Sequence, residues 1–334
     1  MTTARTVPVT TEMDGEELDA EDAFHLVRRL GVRRVLVDSF VRFRFGDGFT
    51  NSRGLALQAS LAVVPFLLAL TGLAADVDSE KPSQVIAATV AAVSPGTGES
   101  DALTDALAAA DDEESDDDAQ EIGGEIALGG GLLFALVSMT TAMAQVERGM
   151  NRIYGIRRDR PALAKYGRAA VLTACLAGPV GFGFLLLVAG RDFALAMQEN
   201  YGWSQAMVTT WNVCRWPVGL VLLVVTIAVL LEKAPRRRQP APTWVALGSS
   251  ITVVLVLVAT AGLAAYTTLS GSFSTVYGPL AGIIALLLWA LLSSMALFYG
   301  AAVCAQLEAC RAGEPEPAYD DPGRPHGTQV EKTV

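Results

Sequence analysis

The chain is poor in the residues that carry most enzyme chemistry. Two histidines, His25 and His326, occur in 334 residues. Both lie in polar stretches far from any cysteine, so clustered zinc ligands are not expected. The four cysteines, Cys175, Cys214, Cys304 and Cys310, lie in or beside apolar segments, and no pair has CxxC spacing. They read as small packing residues. GxSxG, HExxH, a P-loop ending in GK[ST], and GxGxxG after a strand are all missing. General base work would fall to carboxylates. Those in or beside apolar segments are Glu125, Glu147 and Glu308. Glu125 and Glu147 would sit near opposite ends of one helix, too far apart to act as a pair. No catalytic residue, metal site or cofactor is assigned, and the chain is not expected to be an enzyme.

Charge is also scarce, at 18% of residues, against 51% hydrophobic residues and a mean hydropathy of +0.39. A soluble domain of this length would carry more charge and shorter apolar runs. The net charge of −10 is mostly local. Between Asp76 and Glu121 there are fourteen acids and one base, Lys81, and the remainder is slightly basic. The pI of 4.8 therefore reports one loop rather than a basic partner. No early apolar stretch with a cleavage site is seen, so the first span is expected to act as an uncleaved anchor.

The apolar runs are long enough to cross ~30 Å of hydrocarbon, which takes ~20 residues each. Six spans are expected, near 54–75, 125–145, 169–190, 211–231, 244–266 and 277–304, within an all-α membrane domain covering 54–310. Residues 1–20 read as a disordered acidic tail and 311–334 as a disordered tail. The segment 21–53 mixes Phe24, Val27, Leu30, Val35, Phe40 and Phe43 with Arg28, Arg29, Arg33, Arg34, Arg42 and Arg44. That suits a basic amphipathic helix, either lying on the inner leaflet or packed on the cytoplasmic ends of the spans. The loop 76–122 has room for short helices at Pro82–Val93 and Ala102–Ala110. Its run Asp111–Asp118 is a solvated, self-repelling segment or a weak cation collector, and it lacks the EF-hand spacing.

Lys and Arg in short loops set the orientation. The N-terminal flank, 148–168 and 233–238 carry eight, seven and four; 76–122, 191–210 and 267–276 carry one, one and none. Both termini should therefore face the cytoplasm. No internal repeat is seen between the two three-span halves.

Polar residues inside spans mark candidate substrate contacts. Gln58 and Pro65 in the first span, Pro179 in the third, and Arg215 and Pro217 in the fourth should point into the bundle or kink a helix. Arg215 is either an interfacial anchor beside Trp216 or an anion contact, with Glu125 and Asp192 as candidate partners. Gln145–Arg160 is the densest polar run. There Glu147 and Asn151 share one helix face, and Arg148 and Arg152 the next. They form either a headgroup or phosphate site or an ordinary cytoplasmic anchor. Tyr277 and Trp289 complete the candidate set, Tyr277 as part of an aromatic girdle and Trp289 as packing.

These stretches resemble the YihY/BrkB family of bacterial inner-membrane proteins over roughly residues 25–310. The resemblance rests on the late proline of the first span (Pro65) and the run Asn151, Arg152, Ile153, Tyr154, Gly155 before basic residues. It also rests on Tyr277–Gly278 opening the last span, with Leu287, Leu288, Trp289 within it and Gly300–Ala301 closing it. The chain departs from the family pattern at four places. Gln58 and Ala59 replace a tyrosine pair. Ala302 and Cys304 stand where Glu and Asn are common, leaving Glu308 as the nearby substitute. Pro242–Thr243 replaces a Pro-Gly entry. The resemblance implies a multi-pass protein of the bacterial cytoplasmic membrane. Members have been called virulence-associated factors and once carried a ribonuclease label. With the residues, this leads to an expected role in transporting or handling an amphiphilic or anionic, lipid-like substrate in envelope homeostasis. Membrane lipids are the expected partners and nucleic acid is not. The alternative is a membrane scaffold recruiting envelope partners; ribonuclease activity fits the residues poorly.

Overall fold

The computed structural model describes residues 5–13, 18–76, 117–241, 243–269, 277 and 280–320. Most of the acidic loop, where the short helices are expected, residues 270–276 and the end of the tail lie outside the described residues. The remainder is almost entirely helical. In chain order the elements are β1 (Arg5–Thr6), α1 (Ala20–Leu30), α2 (Val32–Phe45), α3 (Gly48–Asp76), α4 (Asp117–Ile153) and α5 (Ala162–Phe184). A π-helical turn, Leu185–Ala189, then leads to α6 (Gly190–Tyr201), α7 (Gln205–Lys233), α8 (Ala246–Leu269), α9 (Ala281–Arg311) and β2 (Tyr319–Asp320).

Local chemistry explains the boundaries. Asp19 starts α1 by accepting from the backbone N–H of Glu21 and Asp22, while Asp22 reaches back to Asp19 N–H in a capping box. Gly31, at φ 88°, breaks the chain between α1 and α2. Gly202, in the left-handed region, ends α6, and Ser204 caps α7 through Met207 N–H. Segment 191–210, expected as a connection outside the membrane, is thus helical as far as Tyr201. Pro179 and Pro217 both lie within helices, and the π turn follows Pro179 by six residues.

Five described helical stretches are long and apolar enough to cross a membrane: 129–153, Ala162–Tyr201, Gln205–Lys233, Ala246–Thr267 and Ala281–Arg311. Helix α3, 29 residues long, covers the remaining expected span. Their mid-helix surfaces are apolar and exposed, including Leu132, Phe134, Val171, Phe182, Val221, Val225, Val254 and Val258. A helix apolar on all sides is stable with such surface exposed only when hydrocarbon covers it.

The helices run up and down, so α3, α5 and α8 start and α4, α7 and α9 end at one basic face. Packing is tightest there. From Gly300 to Ala309 every residue of α9 is buried, which places this end of α9 at the bundle centre. Helices α8 and α9 cross at Gly248 and Gly300: a Cβ on either would lie 2.7 Å from the other's carbonyl oxygen. Removing side chains at a crossing lets two backbones approach, a common device between membrane helices. At the opposite end the described residues are less buried.

Residues 5–13 and 311–320 correct the expectation of disordered tails. Arg5 and Thr6 pair with Asp320 and Tyr319, and Arg5 Nε lies 3.0 Å from Asp320 Oδ1. Residues 8–11 form a strap across the basic face. Thr10 N–H donates to Tyr154 O at 3.1 Å. The strap lies so close to Gly155 (φ 78°) that a Cβ there would collide with Pro8 O.

Candidate functional site

A buried polar cluster binds this basic face together, and Arg42 is at its centre. On α2, Val35, Ser39, Arg42 and Phe43 form the buried face. A guanidinium has five N–H donors in a fixed fork. Arg42 has no exposed surface and directs all of its nitrogens to acceptors. Nε donates to Ile153 O at 3.1 Å, and Nη1 to Ala305 O at 3.3 Å and Gln306 Oε1 at 3.1 Å. Nη2 donates to Pro8 O at 3.2 Å and Thr10 Oγ1 at 2.6 Å. Ile153 ends α4, so its carbonyl has no partner within the helix and takes a cation well. Burial pushes Arg42 down to about 10, which still leaves it charged at neutral pH.

Glu308, fully buried one turn before the end of α9, supplies the countercharge. Its Oε1 accepts from Tyr154 Oη at 3.2 Å, and its Oε2 lies 2.6 Å from Arg237 Nη2. That second contact has the distance of a close ion pair but not hydrogen-bond direction, because Glu308 Oε2 lacks a directed donor. Arg237 also donates to Thr10 O and Thr11 O, each at 3.2 Å, and its guanidinium sits 4.7 Å from the Tyr154 ring centre. Burial, then the nearby Glu308 charge, raise the Tyr154 hydroxyl well above its ordinary value, so it stays a donor.

A second layer surrounds this centre. Glu147 pairs with Arg160 at 3.1 Å and Arg168 at 3.5 Å. Asn151 Oδ1 accepts from Arg236 N–H at 2.7 Å, and its Nδ2 donates to Asp159 Oδ1 at 3.2 Å. Asp159 also receives Lys165 at 3.1 Å. Burial alone would raise the Asp159 carboxyl, but the hydrogen bonds from Lys165 and Asn151 outweigh it and hold it below its usual value.

The structure thus brings Glu147 and Asn151 together but leaves Arg148 exposed and Arg152 half-exposed. The other four candidates lie elsewhere. Gln58 is half-buried, with its Oε1 enclosed and unpartnered among the described residues. Arg215 lies over the Trp216 ring at 5.2 Å and donates to Leu186 O in the π turn at 3.4 Å, while its Nε has no partner among the described residues. No ion pair joins it to Asp192 among the described residues, and the Glu125 side chain lies outside them. Trp289 donates to Thr260 Oγ1 at 3.0 Å and so ties α9 to α8. Tyr277 is exposed, and its immediate neighbours lie outside the described residues.

Sequence reasoning missed the roles of Arg42, Arg237 and the strap. Arg42 reads as one of six similar arginines. Its signal is helical phase, because it shares a face with Val35 and Phe43. Tyr154 belonged to the quoted motif, but its partner Glu308 lies 154 positions away.

An all-α bundle with an apolar girdle and a buried polar cluster at one end defines a polytopic integral membrane protein. The family model described as virulence factor BrkB matches residues 39–323, and the chain belongs to that family. YfkH of Bacillus subtilis (strain 168), a protein described as ribonuclease-like, is 24% identical over 177 residues, 53% of this chain and 64% of that protein. A UPF0761 membrane protein of Alteromonas mediterranea is 28% identical over 172 residues, 51% of this chain and 56% of its own length. Another, of Idiomarina loihiensis, is 26% identical over 196 residues, 58% and 65% respectively. The chain thus spans less than two thirds of the length of these relatives. No solved structure matches it.

Proposed function

We propose that this chain is a non-enzymatic, multi-pass protein of the bacterial cytoplasmic membrane, with both termini cytoplasmic, that moves or handles an amphiphilic, anionic substrate. The observation carrying this reading is a set of enclosed polar atoms without partners among the described residues, Gln58 Oε1, Ser60 Oγ, Asn212 Oδ1, Arg215 Nε and Ser293 Oγ. They lie on α3, α7 and α9, away from the buried cluster at the basic face. An unpaired polar group in hydrocarbon costs several kcal/mol, on the order of 2–7. Groups left without protein partners are suited to a ligand or its water. Arg215 is the cation among them, which favours an anion. Asn151 drops out of this path because its carbonyl oxygen and its amide nitrogen are both bonded within the protein. The basic-face cluster then acts as a closure on the cytoplasmic side. The same cluster weakens a ribonuclease reading, because Arg42, Arg160 and Arg237 are bonded to internal acceptors and are not displayed to an RNA backbone.

The test is transbilayer movement of a fluorescent phosphatidylglycerol in proteoliposomes. Wild-type protein should accelerate it, Arg215→Lys should retain most of the rate, and Arg215→Ala should lose about tenfold, the scale of a charged hydrogen bond. Equal rates with and without wild-type protein refute the transport reading.

A further inference from the structure

Helix α2 has three distinct sides. At 100° per residue, the buried side carries Val35, Ser39, Arg42 and Phe43. A second side carries Arg34 and Asp38, paired at 3.6 Å, with the Arg34 side chain 64% exposed. The third side is the strip Arg33, Val37, Phe40, Arg44, with Val37 53% and Phe40 47% exposed. This strip does not end with the helix. Phe40 meets Phe49, at the start of α3, edge-on with ring centres 6.3 Å apart. Phe49 opens a second strip on α3, Phe49, Arg53, Leu57, Leu61, spaced by four residues. Leu57 and Leu61 are 54% and 60% exposed, on the helix that covers the first expected span. The apolar surface of α2 is therefore continuous with the hydrocarbon-facing surface of α3. Arg33, Arg44 and Arg53 border it, and none of them has an ion-pair partner among the described residues.

The geometry points to α2 as an interfacial helix docked on the leaflet of anionic phospholipid at the basic face. Val37 and Phe40 insert at the acyl boundary, and Arg33, Arg44 and Arg53 contact lipid phosphates. Burying the apolar strip orients the helix, and arginine stems reach past it to the headgroups. Each arginine near an anionic surface contributes about 1 kcal/mol, roughly a fivefold change in lipid occupancy. The inner side of the same helix holds Arg42 in the buried cluster, so the leaflet and the clamp grip one element from opposite faces. This surface is independent of whether anything is transported.

The test uses the full chain in nanodiscs of phosphatidylcholine alone or mixed equally with phosphatidylglycerol. Exposed Cys175 and Cys214 and half-buried Cys310 are replaced by alanine, and spin labels are attached at Val37→Cys, Phe40→Cys, Leu57→Cys and Arg34→Cys. Labels at 37 and 40 should favour oxygen over a soluble nickel chelate, as the label at 57 does. The label at 34 should favour nickel. The triple variant R33Q/R44Q/R53Q should retain several-fold less phosphatidylglycerol in native mass spectra, with the label at 57 unchanged. Nickel-accessible labels at 37 and 40 would overturn the proposal. So would labels shielded from both reagents, which would mean that a second copy or another protein covers the strip. Unchanged phosphatidylglycerol retention in the triple variant would overturn the headgroup contact.

Discussion

Replacing Glu308 by glutamine is the sharpest perturbation of the basic-face cluster. The substitution keeps the shape and the acceptor for Tyr154 but removes the carboxylate that faces two enclosed guanidiniums. Arg42 has no exposed surface and the Arg237 side chain is 2% exposed. Removing one partner of a buried pair typically costs about 3–5 kcal/mol, because the remaining charge is left without compensation. Arg42 keeps its neutral acceptors, so the loss should fall mainly on Arg237. At about 2 °C per kcal/mol for a chain of this size, the melting midpoint should fall by about 6–10 °C. Cys304, one turn earlier on α9 and 1% exposed, provides the readout. With Cys175, Cys214 and the half-buried Cys310 replaced, a thiol-reactive dye should stay dark until this end of the bundle opens. The double variant Arg237→Gln/Glu308→Gln should recover part of the loss, since it leaves neither charge stranded. A midpoint for Glu308→Gln within about 2 °C of wild type, the change expected for about 1 kcal/mol, would refute the account of Arg237 as a buried charge compensated by Glu308.

Three further outcomes follow from the same geometry. Arg42→Lys offers three donors where five acceptors are placed, so it should lower stability by about 2–4 kcal/mol despite keeping the charge, measured by the same dye melt. Asp159 has its carboxyl held low in the folded state, so its contribution is present above the ordinary aspartate value near ~4 and lost as pH falls through the folded value. Melts between about pH 6 and 3 should show this small loss, at most about 1 kcal/mol for a partly exposed pair, and Asp159→Asn should remove it. An impermeant maleimide applied to intact cells should label Ser204→Cys, at the turn before α7, but not Arg238→Cys until the membrane is permeabilised. The reverse pattern would overturn the proposed orientation.

Much of this architecture was legible in the chain. Apolar run length and the basic bias of alternate loops are local, one-dimensional properties, and the bilayer acts on them one segment at a time. The helices therefore appear where the runs are, with ends shifted by caps such as Asp19 and Ser204 and by helical continuation through 190–201. The site was legible only in part. Glu147 and Asn151 were visible because their spacing of four is a helix property. Gln58 and Arg215 stood out because polar groups are rare in spans.

What the sequence by itself determined is the class of the molecule: an all-α membrane protein with its basic side chains gathered on alternate connections. Only the tertiary structure decided which of those side chains are display and which are structure. Arg33 and Arg42 look alike in sequence. One lies on an exposed strip beside lipid-facing residues, and the other is bonded to Ile153, Ala305, Gln306, Pro8 and Thr10. That difference comes from pairing positions 32 to 264 residues apart, and buried hydrogen bonds are strong only once packing has excluded water from them. The same packing folded a polar N-terminal strap over the cluster, where composition alone predicted a free tail.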